Sequence, residues 1–329
     1  LTMELDDPFG YGRIIRDGEG HVERIVEQKD ANAAEAAVTE CNSGFYCFDA
    51  QALFEALEQV GSDNAQGEFY LTDVLEICRA AGRDVLALPA SDVSECLGVN
   101  SRVQLAAATC ALQSRINKEH MAAGVTMWDP ASVWIGPDVE IAPDVELLPQ
   151  TFLLGKTQVG EDSAIGPNTR LTDTVVGSGC TIDETVAIEA RIDDEATCGP
   201  RAYLRPGAHL CEGAKAGTHV EIKKSTIGLG SKVPHLSYIG DATLGEGVNV
   251  GAGSITCNYD GAKKWPTTIG DGAFIGSDTM MVAPVNVGAH TLVAAGSVIT
   301  KDVPDGALAI ARGRQENHEG WVEKHHPSN

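Results

Sequence analysis

From Ile135 an aliphatic residue returns every six positions: Ile141, Leu147, Leu153, Val159, Ile165 and Leu171 follow without a break. One residue is lost before Val176, Ile182 and Ile188. The series resumes through Leu204, Leu210, Ala216 and Ile222, then Val233 and Ile239, then Val250, and ends with Ile269, Ile275, Met281, Val287, Val293 and Ile299. The next residue is often small, as at Gly136, Gly160, Gly166, Gly240, Gly251, Gly270, Gly276 and Gly288. A period of six belongs neither to a helix nor to a simple alternating strand. It predicts a parallel β-helix with a triangular coil, built from three hexapeptides with one aliphatic side chain per face turned inward. About 165 residues at ~18 per coil give roughly nine coils.

The residues ahead of the repeat are patterned differently. A strand, a turn at Asp17-Gly18 and a second strand from Val22 to Val26 open the chain. Asp49 is placed to cap a helix running to about Val60, with Gly61 as its stop. A second helix is expected near Leu71 to Ala81, then an apolar strand, "DVLALPA". This alternation is α/β, with too few strands for a complete sheet, so residues 1–100 read as the tail end of a larger domain. A small complete α+β domain is the other reading. "SRVQLAAATCALQSRINKEHMAAG" predicts a helix capped by Ser101 and ended by Gly124, about 33 Å long at ~1.5 Å per residue, a strut between two bodies. The organisation is therefore 1–100, a linker helix at 101–124, and a β-helix domain with its tail at 125–329.

Composition narrows the function classes. A 43% hydrophobic content places the chain among soluble globular proteins, with no apolar run of membrane-spanning length and no signal segment at its start. Aromatic residues make up only 5%, which suits a core too narrow for rings. The net charge of −23 argues against nucleic acid or an anionic membrane as partner. Nine cysteines without a CxxC pair read as reduced thiols, and the expected location is cytoplasmic.

The charge is unevenly spread. Residues 133–200 carry three basic and thirteen acidic side chains, a net of −10. Residues 201–264 carry eight basic (Arg201, Arg205, Lys215, Lys223, Lys224, Lys232, Lys263, Lys264) and five acidic, a net of +3. A positive island in an acidic protein implies an anion site, with phosphate the natural occupant. Arg205 and Lys223 are eighteen residues apart, about one coil, so they are placed to stack on one side. "ITCNYDGAKKWPTT", residues 255–268, breaks the repeat and is expected to leave the coil as a loop, where binding groups concentrate. His235 lies upstream of it, with Glu221, Tyr238 and Asn249 at separations that bring them near. An imidazole close to a carboxylate suits a general base.

"LRPGAHLCEGAKAGTHVEIKKSTIGLGSKVPHLSYIGDATLGEGVNVGAGSITCNYDG" resembles the acetyltransferase domain of the bacterial bifunctional family that makes UDP-N-acetylglucosamine, the UDP-N-acetylglucosamine pyrophosphorylases / glucosamine-1-phosphate N-acetyltransferases. "DDPFGYGRI", "IVEQKDA", "NSGFY", "NAQGEFYLTD" and "GVNSRVQL" resemble the second half of that family's uridylyltransferase domain. The resemblance covers essentially the whole chain. It implies a left-handed parallel β-helix preceded by the C-terminal part of an α/β nucleotidyltransferase domain. The family's Gly-rich nucleotide loop and its magnesium-binding aspartate are not in this sequence, so an N-terminally truncated member is expected.

By matching position, the resemblance implies that His235 is the catalytic base, supported by Glu221, in N-acetylation of glucosamine-1-phosphate by acetyl-CoA. It assigns Arg205, Lys223, Tyr238, Asn249 and Lys264 to the sugar phosphate, and Ala252, Asn258, Tyr259, Ser277, Ala295 and Arg312 to acetyl-CoA. A backbone N–H near Ser277 is the implied oxyanion donor, and no cysteine need act. Gly12, Glu27, Asn42 and Asn100 match positions that bind UDP-N-acetylglucosamine, and Asn100 also matches a Mg2+ ligand. The implied assembly is a homotrimer whose extruded loop reaches a neighbour.

Trp265-Pro266 and the tail "ENHEGWVEKHHPSN" match no motif, and a frayed terminus is expected for the tail. Three alternatives stay open: another hexapeptide-repeat acyltransferase, a non-catalytic oligomerisation scaffold, and a zinc hydratase of the β-helix type. Against the last, His209, His219 and His235 are ten and sixteen apart, without the close pair expected.

Overall fold

Turning one side chain per hexapeptide inward stacks Leu147, Leu153, Ile165, Leu171, Ile182, Leu204, Leu210, Ile222, Val233, Ile239 and Val250 into one continuous core, each fully buried. In the computed structural model, which describes residues 1–326, this core fills a left-handed parallel β-helix of about ten turns. Its wall is three parallel sheets, called here face 1 (nine strands, Glu140–Ile141 to Val285–Val287), face 2 (eleven, Thr126–Met127 to Leu308–Ala309) and face 3 (ten, Trp134–Ile135 to Val298–Ile299). The coils start before Ile135 and run past Ile299, which is why they exceed the nine expected.

The coil is not uniform. Phe152 pairs with Arg170, eighteen residues on, but Arg170 pairs with Val186, sixteen on. Five steps between inward residues are one residue short: Leu171 to Val176, Ile182 to Ala187, Ala187 to Ile192, Ile222 to Ile227 and Ile239 to Leu244. Each short step holds a left-handed residue two places after the inward one: Asp173, Glu184, Glu189, Lys224 and Asp241. Turning one residue early closes the corner one residue sooner. Ile188, expected inside, is therefore displaced by Ala187, which is fully buried, while Ile188 is half-buried.

The chain divides into two compact units, Leu1–Leu112 and a second beginning at Gln113. The first holds a four-stranded antiparallel sheet ordered β1-β4-β2-β3, from β1 (Thr2–Glu4), β2 (Arg13–Arg16), β3 (Val22–Val26) and β4 (Glu40–Asn42). Its helices are α1 (Ala33–Ala36), α2 (Ala50–Leu57) and α3 (Asp73–Ala80). Asp49 caps α2 by accepting from the Ala52 N–H at 2.9 Å, and α2 stops short of Val60. "DVLALPA" forms no strand. It makes one bridge, Pro89 to Thr2, through the Leu88 carbonyl and the Ala90 N–H.

Helix α4 (Arg102–Ala122) follows, with the Ser101 hydroxyl accepting from the Gln104 N–H and Gly124 at φ +105° ending it. Its second half belongs to the β-helix. The buried side-chain amides of Gln113 and Asn117 donate to the carbonyls of Pro130, Ala131 and Val133, and Ile116 packs on the core. The first coil has no preceding coil to satisfy its polar backbone, and these amides supply what is missing. Near the other end Trp321–His325 form a short helix in the tail expected to fray, with Trp321 stacked on His325. The last three residues of that tail lie outside the described residues.

Candidate functional site

Two groups of side chains occupy the wall around residues 203–282. The first is a column on the corner between faces 2 and 3. His235 ends a strand of face 2 and pairs with Thr218 of the preceding coil. Lys232 pairs with Asn249, so His235 faces Ala252 one coil on. Asp278 donates its N–H to the Ala252 carbonyl and Gly296 to that of Ser277, which carries the column through Ser277 to Ala295. Arg312 follows, its Cδ 3.9 Å from where a Cβ on Gly296 would stand. A Cβ on Gly251 would lie 2.4 Å from the Ser277 nitrogen, so glycine is required for the coils to approach this closely. Among the described residues the Ser277 N–H has no acceptor and the exposed His235 imidazole makes no hydrogen bond or ion pair.

The second group lies on face 3. Tyr203, Glu221 and Tyr238 pair in register on consecutive coils. Arg205 donates to Glu221 Oε1 at 2.8 Å, which raises the guanidinium pKa, and lies 6.0 Å from the Tyr203 ring centre. The structure thus pairs Glu221 with Arg205, and among the described residues no carboxylate forms an ion pair with His235. Lys223 is almost wholly buried, its Nζ 3.6 Å from Asp241 Oδ2 and without a hydrogen-bond acceptor among the described residues. The Lys264 amine lies beside it. Their contact and the Asp241 carboxylate hold Lys223 above its ordinary pKa, while Lys223 pulls Lys264 down. Lys264, matched to the sugar phosphate, meets Lys223 within the chain.

The chain leaves the coil between the face 3 strand Ile255–Cys257 and the face 1 strand Thr267–Ile269, so both ends of the expected loop are strand. Asn258 starts the excursion and stays with the cations. Its amide donates to Asp241 Oδ2 at 2.5 Å and sits 3.4 Å from the Tyr238 hydroxyl. Tyr238 folds over Gly240, where a Cβ would stand 2.4 Å from its hydroxyl oxygen. Asn258, matched to acetyl-CoA, thus lies within the cation group, and Asn249, matched to the sugar phosphate, lies on face 2 apart from it. Asp260 orders the loop tip, accepting from the N–H groups of Lys263 and Ala262 and from the Trp265 indole. These bonds lower its pKa to about 2, with Lys263 the largest cause. Tyr259 bridges Lys264 across the loop.

Burial pushes Cys180 up to about 11, raises Cys198 further, and raises Cys257.

A curated family model, "Bacterial transferase hexapeptide (six repeats)", matches residues 266–301. Over 326 residues the chain is 54% identical to "Bifunctional protein GlmU" of Heliobacterium modesticaldum, covering 99% of this chain and 71% of that protein. The proteins of the same name from Carboxydothermus hydrogenoformans (52%, covering 98% and 72%) and Streptomyces avermitilis (54%, covering 99% and 68%) match equally broadly. The chain belongs to the GlmU family. A crystal structure of an Arabidopsis UDP-N-acetylglucosamine acyltransferase covers 60% of this chain and 76% of its own at 15% identity, with a TM-score of 0.40, too low to carry weight.

In the first unit of this GlmU-family chain, three of the four matched residues meet. A Cβ on Gly12 would lie 3.3 Å from Glu27 Oε1 and 3.5 Å from Asn42 Cβ, and Asn42 donates its N–H to the Gly12 carbonyl. Burial raises the Glu27 pKa, with the Thr72 hydroxyl opposing. Asn100, exposed, donates its N–H to the Gln104 side chain. A lone amide oxygen at Asn100 does not by itself fit Mg2+, which is held through carboxylates. No step is derived through magnesium.

Sequence reasoning missed Asp241, the carboxylate shared by Lys223 and Asn258, and the Asp260–Trp265 lock. The Asp-Gly at 260–261 is a turn signal that points to the lock. Nothing in spacing singles out Asp241.

Proposed function

We propose that this chain N-acetylates glucosamine-1-phosphate with acetyl-CoA, at a site made from the His235 corner and the face 3 cations. The carrying observation is the column His235–Ala252–Ser277–Ala295, which sets an imidazole and a free backbone N–H on one edge of a wall whose next face bears Arg205 and Lys223. The buried Lys223 ammonium, paired with Asp241 at 3.6 Å but without a hydrogen-bond acceptor among the described residues, is complemented by a phosphate dianion, and Arg205, Tyr238 and Lys264 surround it. The coenzyme lies along the glycine- and alanine-lined corner from Ala252 to Arg312.

Neutral His235 accepts a proton from the sugar amine as its nitrogen attacks the thioester carbonyl carbon. The carbonyl oxygen gains negative charge, which the Ser277 N–H stabilises. The C–S bond then breaks, CoA leaves, and the imidazolium returns the proton to sulfur. Carbon, sulfur and proton balance, and no covalent enzyme intermediate forms.

Three further parts belong to this reading. The protein works as a homotrimer, with exposed apolar side chains on the wall, such as Leu236, Phe274 and Leu292, as contact surface. It is cytoplasmic; among the described residues no helix is long and apolar enough to cross a membrane. The Gly12–Glu27–Asn42 group contacts part of a sugar nucleotide. The division into residues 1–100, a helix at 101–124 and a β-helix from 125 is the functional one.

In an assay of CoA release with glucosamine-1-phosphate, His235→Ala lowers turnover by roughly 10²–10⁴-fold with acetyl-CoA affinity nearly unchanged. Turnover within a few-fold of the parent removes His235 from the mechanism.

A further inference from the structure

The corner after face 1 carries nearly the same residue on every coil. The position following the inward aliphatic is Ala142, Gly160, Gly177, Gly228, Gly245, Gly270 or Gly288, each donating its N–H to an inward residue's carbonyl or its equivalent one coil on. The geometry demands this. A Cβ on Gly160 would stand 2.6 Å from the Gly177 carbonyl carbon, one on Gly228 2.1 Å from the Gly245 oxygen, and one on Gly270 2.5 Å from the Ala289 nitrogen. Two consecutive coils depart from it. Asp193 and Cys211 occupy the same position, donating to the carbonyls of Leu210 and Ile227.

Beside them His209 pairs in register with Arg191 and brings its Nε2 to 2.7 Å from Asp193 Oδ2. Arg191 holds the other oxygen, Oδ1, at 2.7 Å. The Cys211 thiol completes the group: one ligand atom each from Asp193, His209 and Cys211 lies within 4.8 Å of the others. All three side chains are part-exposed, so an ion reaches them from solvent.

We propose that Asp193, His209 and Cys211 form a zinc site that clips two consecutive coils together. Thiolate, imidazole and carboxylate are the donors zinc takes, and the sulfur disfavours magnesium or calcium. On binding, the Cys211 thiol gives its proton to solvent, neutral His209 offers Nε2 and Asp193 offers Oδ2. The ligand charge of −2 balances the ion, with water in the fourth position. Zinc bonds of about 2.0–2.3 Å set tetrahedral ligands roughly 3.3–3.8 Å apart. Side-chain rotation opens the 2.7 Å His209–Asp193 contact and brings the thiol into range, while the ladder holds the backbones in register. The site opens from a different corner than His235, so the ion takes no part in acetyl transfer.

The test uses the full chain, reduced and metal-free, titrated with Co2+ and then Zn2+. The expected result is one equivalent of Co2+ with a thiolate-to-cobalt charge-transfer band and tetrahedral d–d absorption, displaced by Zn2+, which raises Tm. Cys211→Ser abolishes the band, and His209→Gln weakens Co2+ binding by more than about 100-fold. Cys47→Ser, at an exposed thiol outside the group, changes neither. CoA release is unaffected by all three variants. Zinc-edge X-ray absorption on the unmodified protein counts one sulfur ligand, a readout independent of how any variant folds. A band that survives Cys211→Ser, affinity unchanged in His209→Gln, or a sulfur count other than one overturns the proposal.

Discussion

The two units of this chain solve the same packing problem at different scales. In the β-helix one buried cluster runs unbroken from Val125 to Val303, because each coil is the next coil's partner. In Leu1–Leu112 the buried residues fall into three small clusters, around Ala52 and Val74, around Met3 and Cys41, and around Ile14 and Ile25. Its strands are three to five residues long, and Phe9 and Phe69 are 74% and Leu86 84% exposed. A repeat is self-sufficient at any length that caps its ends. A short sheet depends on what covers its faces. The candidate acetyl-transfer site stands on the first kind of scaffold, the residues matched to sugar-nucleotide binding on the second.

Hydrogen exchange gives the largest contrast. Inward-facing strands of the β-helix, such as those bearing Ile222 and Ile239, open only with their whole stack, whereas β1 and β4 open with a small cluster. Amides of the two sets should differ in protection by on the order of 10³, a difference of about 4 kcal/mol in opening free energy at ~1.4 kcal/mol per factor of ten. Comparable protection in both units would erase the distinction.

A glycine pair sharpens the comparison at single residues. Gly251→Ala drives a Cβ to 2.4 Å from the Ser277 nitrogen, and a rigid ladder yields only with strain. The expected cost is about 1–3 kcal/mol in urea titration of the β-helix transition. Gly61→Ala meets nothing within 4 Å and needs no left-handed backbone, so its effect stays within ~0.5 kcal/mol. Equal costs would mean that the coils relax as freely as a loop.

How far these features were legible in the sequence follows the same division. The six-residue period announces the β-helix because each inward position is set by local stride alone. It fails at Ile188, where two successive five-residue steps put Ala187 inside; aliphatics on both sides of the corner hide a one-residue slip. The column from His235 to Ala252, Ser277 and Ala295 has strides of 17, 25 and 18, irregular because the loop lengthens one coil. Without the ladder those strides do not declare a column. In the first unit, Gly12, Glu27 and Asn42 meet through antiparallel pairing of strands far apart in sequence, which no period encodes. Only family resemblance singled them out. Asp193, His209 and Cys211 are visible as a group only once the glycine corner they interrupt is seen.

The smallest expected effect sets one aspartate from each unit against the other. Asp17 and Asp260 are both held at about 2, below the ordinary 3.8. A carboxyl lowered in the folded state contributes stability that is present above 3.8 and lost as pH falls towards 2. The causes differ. Asp17 owes its shift first to the Arg79 guanidinium, reaching from α3 to the turn between β2 and β3. Asp260 owes its shift to Lys263, Trp265 and Ala262, all within five residues on a loop anchored to the coil. A part-exposed ion pair weakens with salt, whereas hydrogen bonds to neutral N–H groups do so far less. Carboxyl NMR titrations at low and at roughly 1 M salt should therefore move the Asp17 midpoint upward by a fraction of a unit and leave Asp260 in place. The Trp265 indole N–H should report the same midpoint as Asp260, because the two groups share one hydrogen bond. A salt-sensitive Asp260 beside a fixed Asp17 would reverse the assignment of rigid and dependent regions.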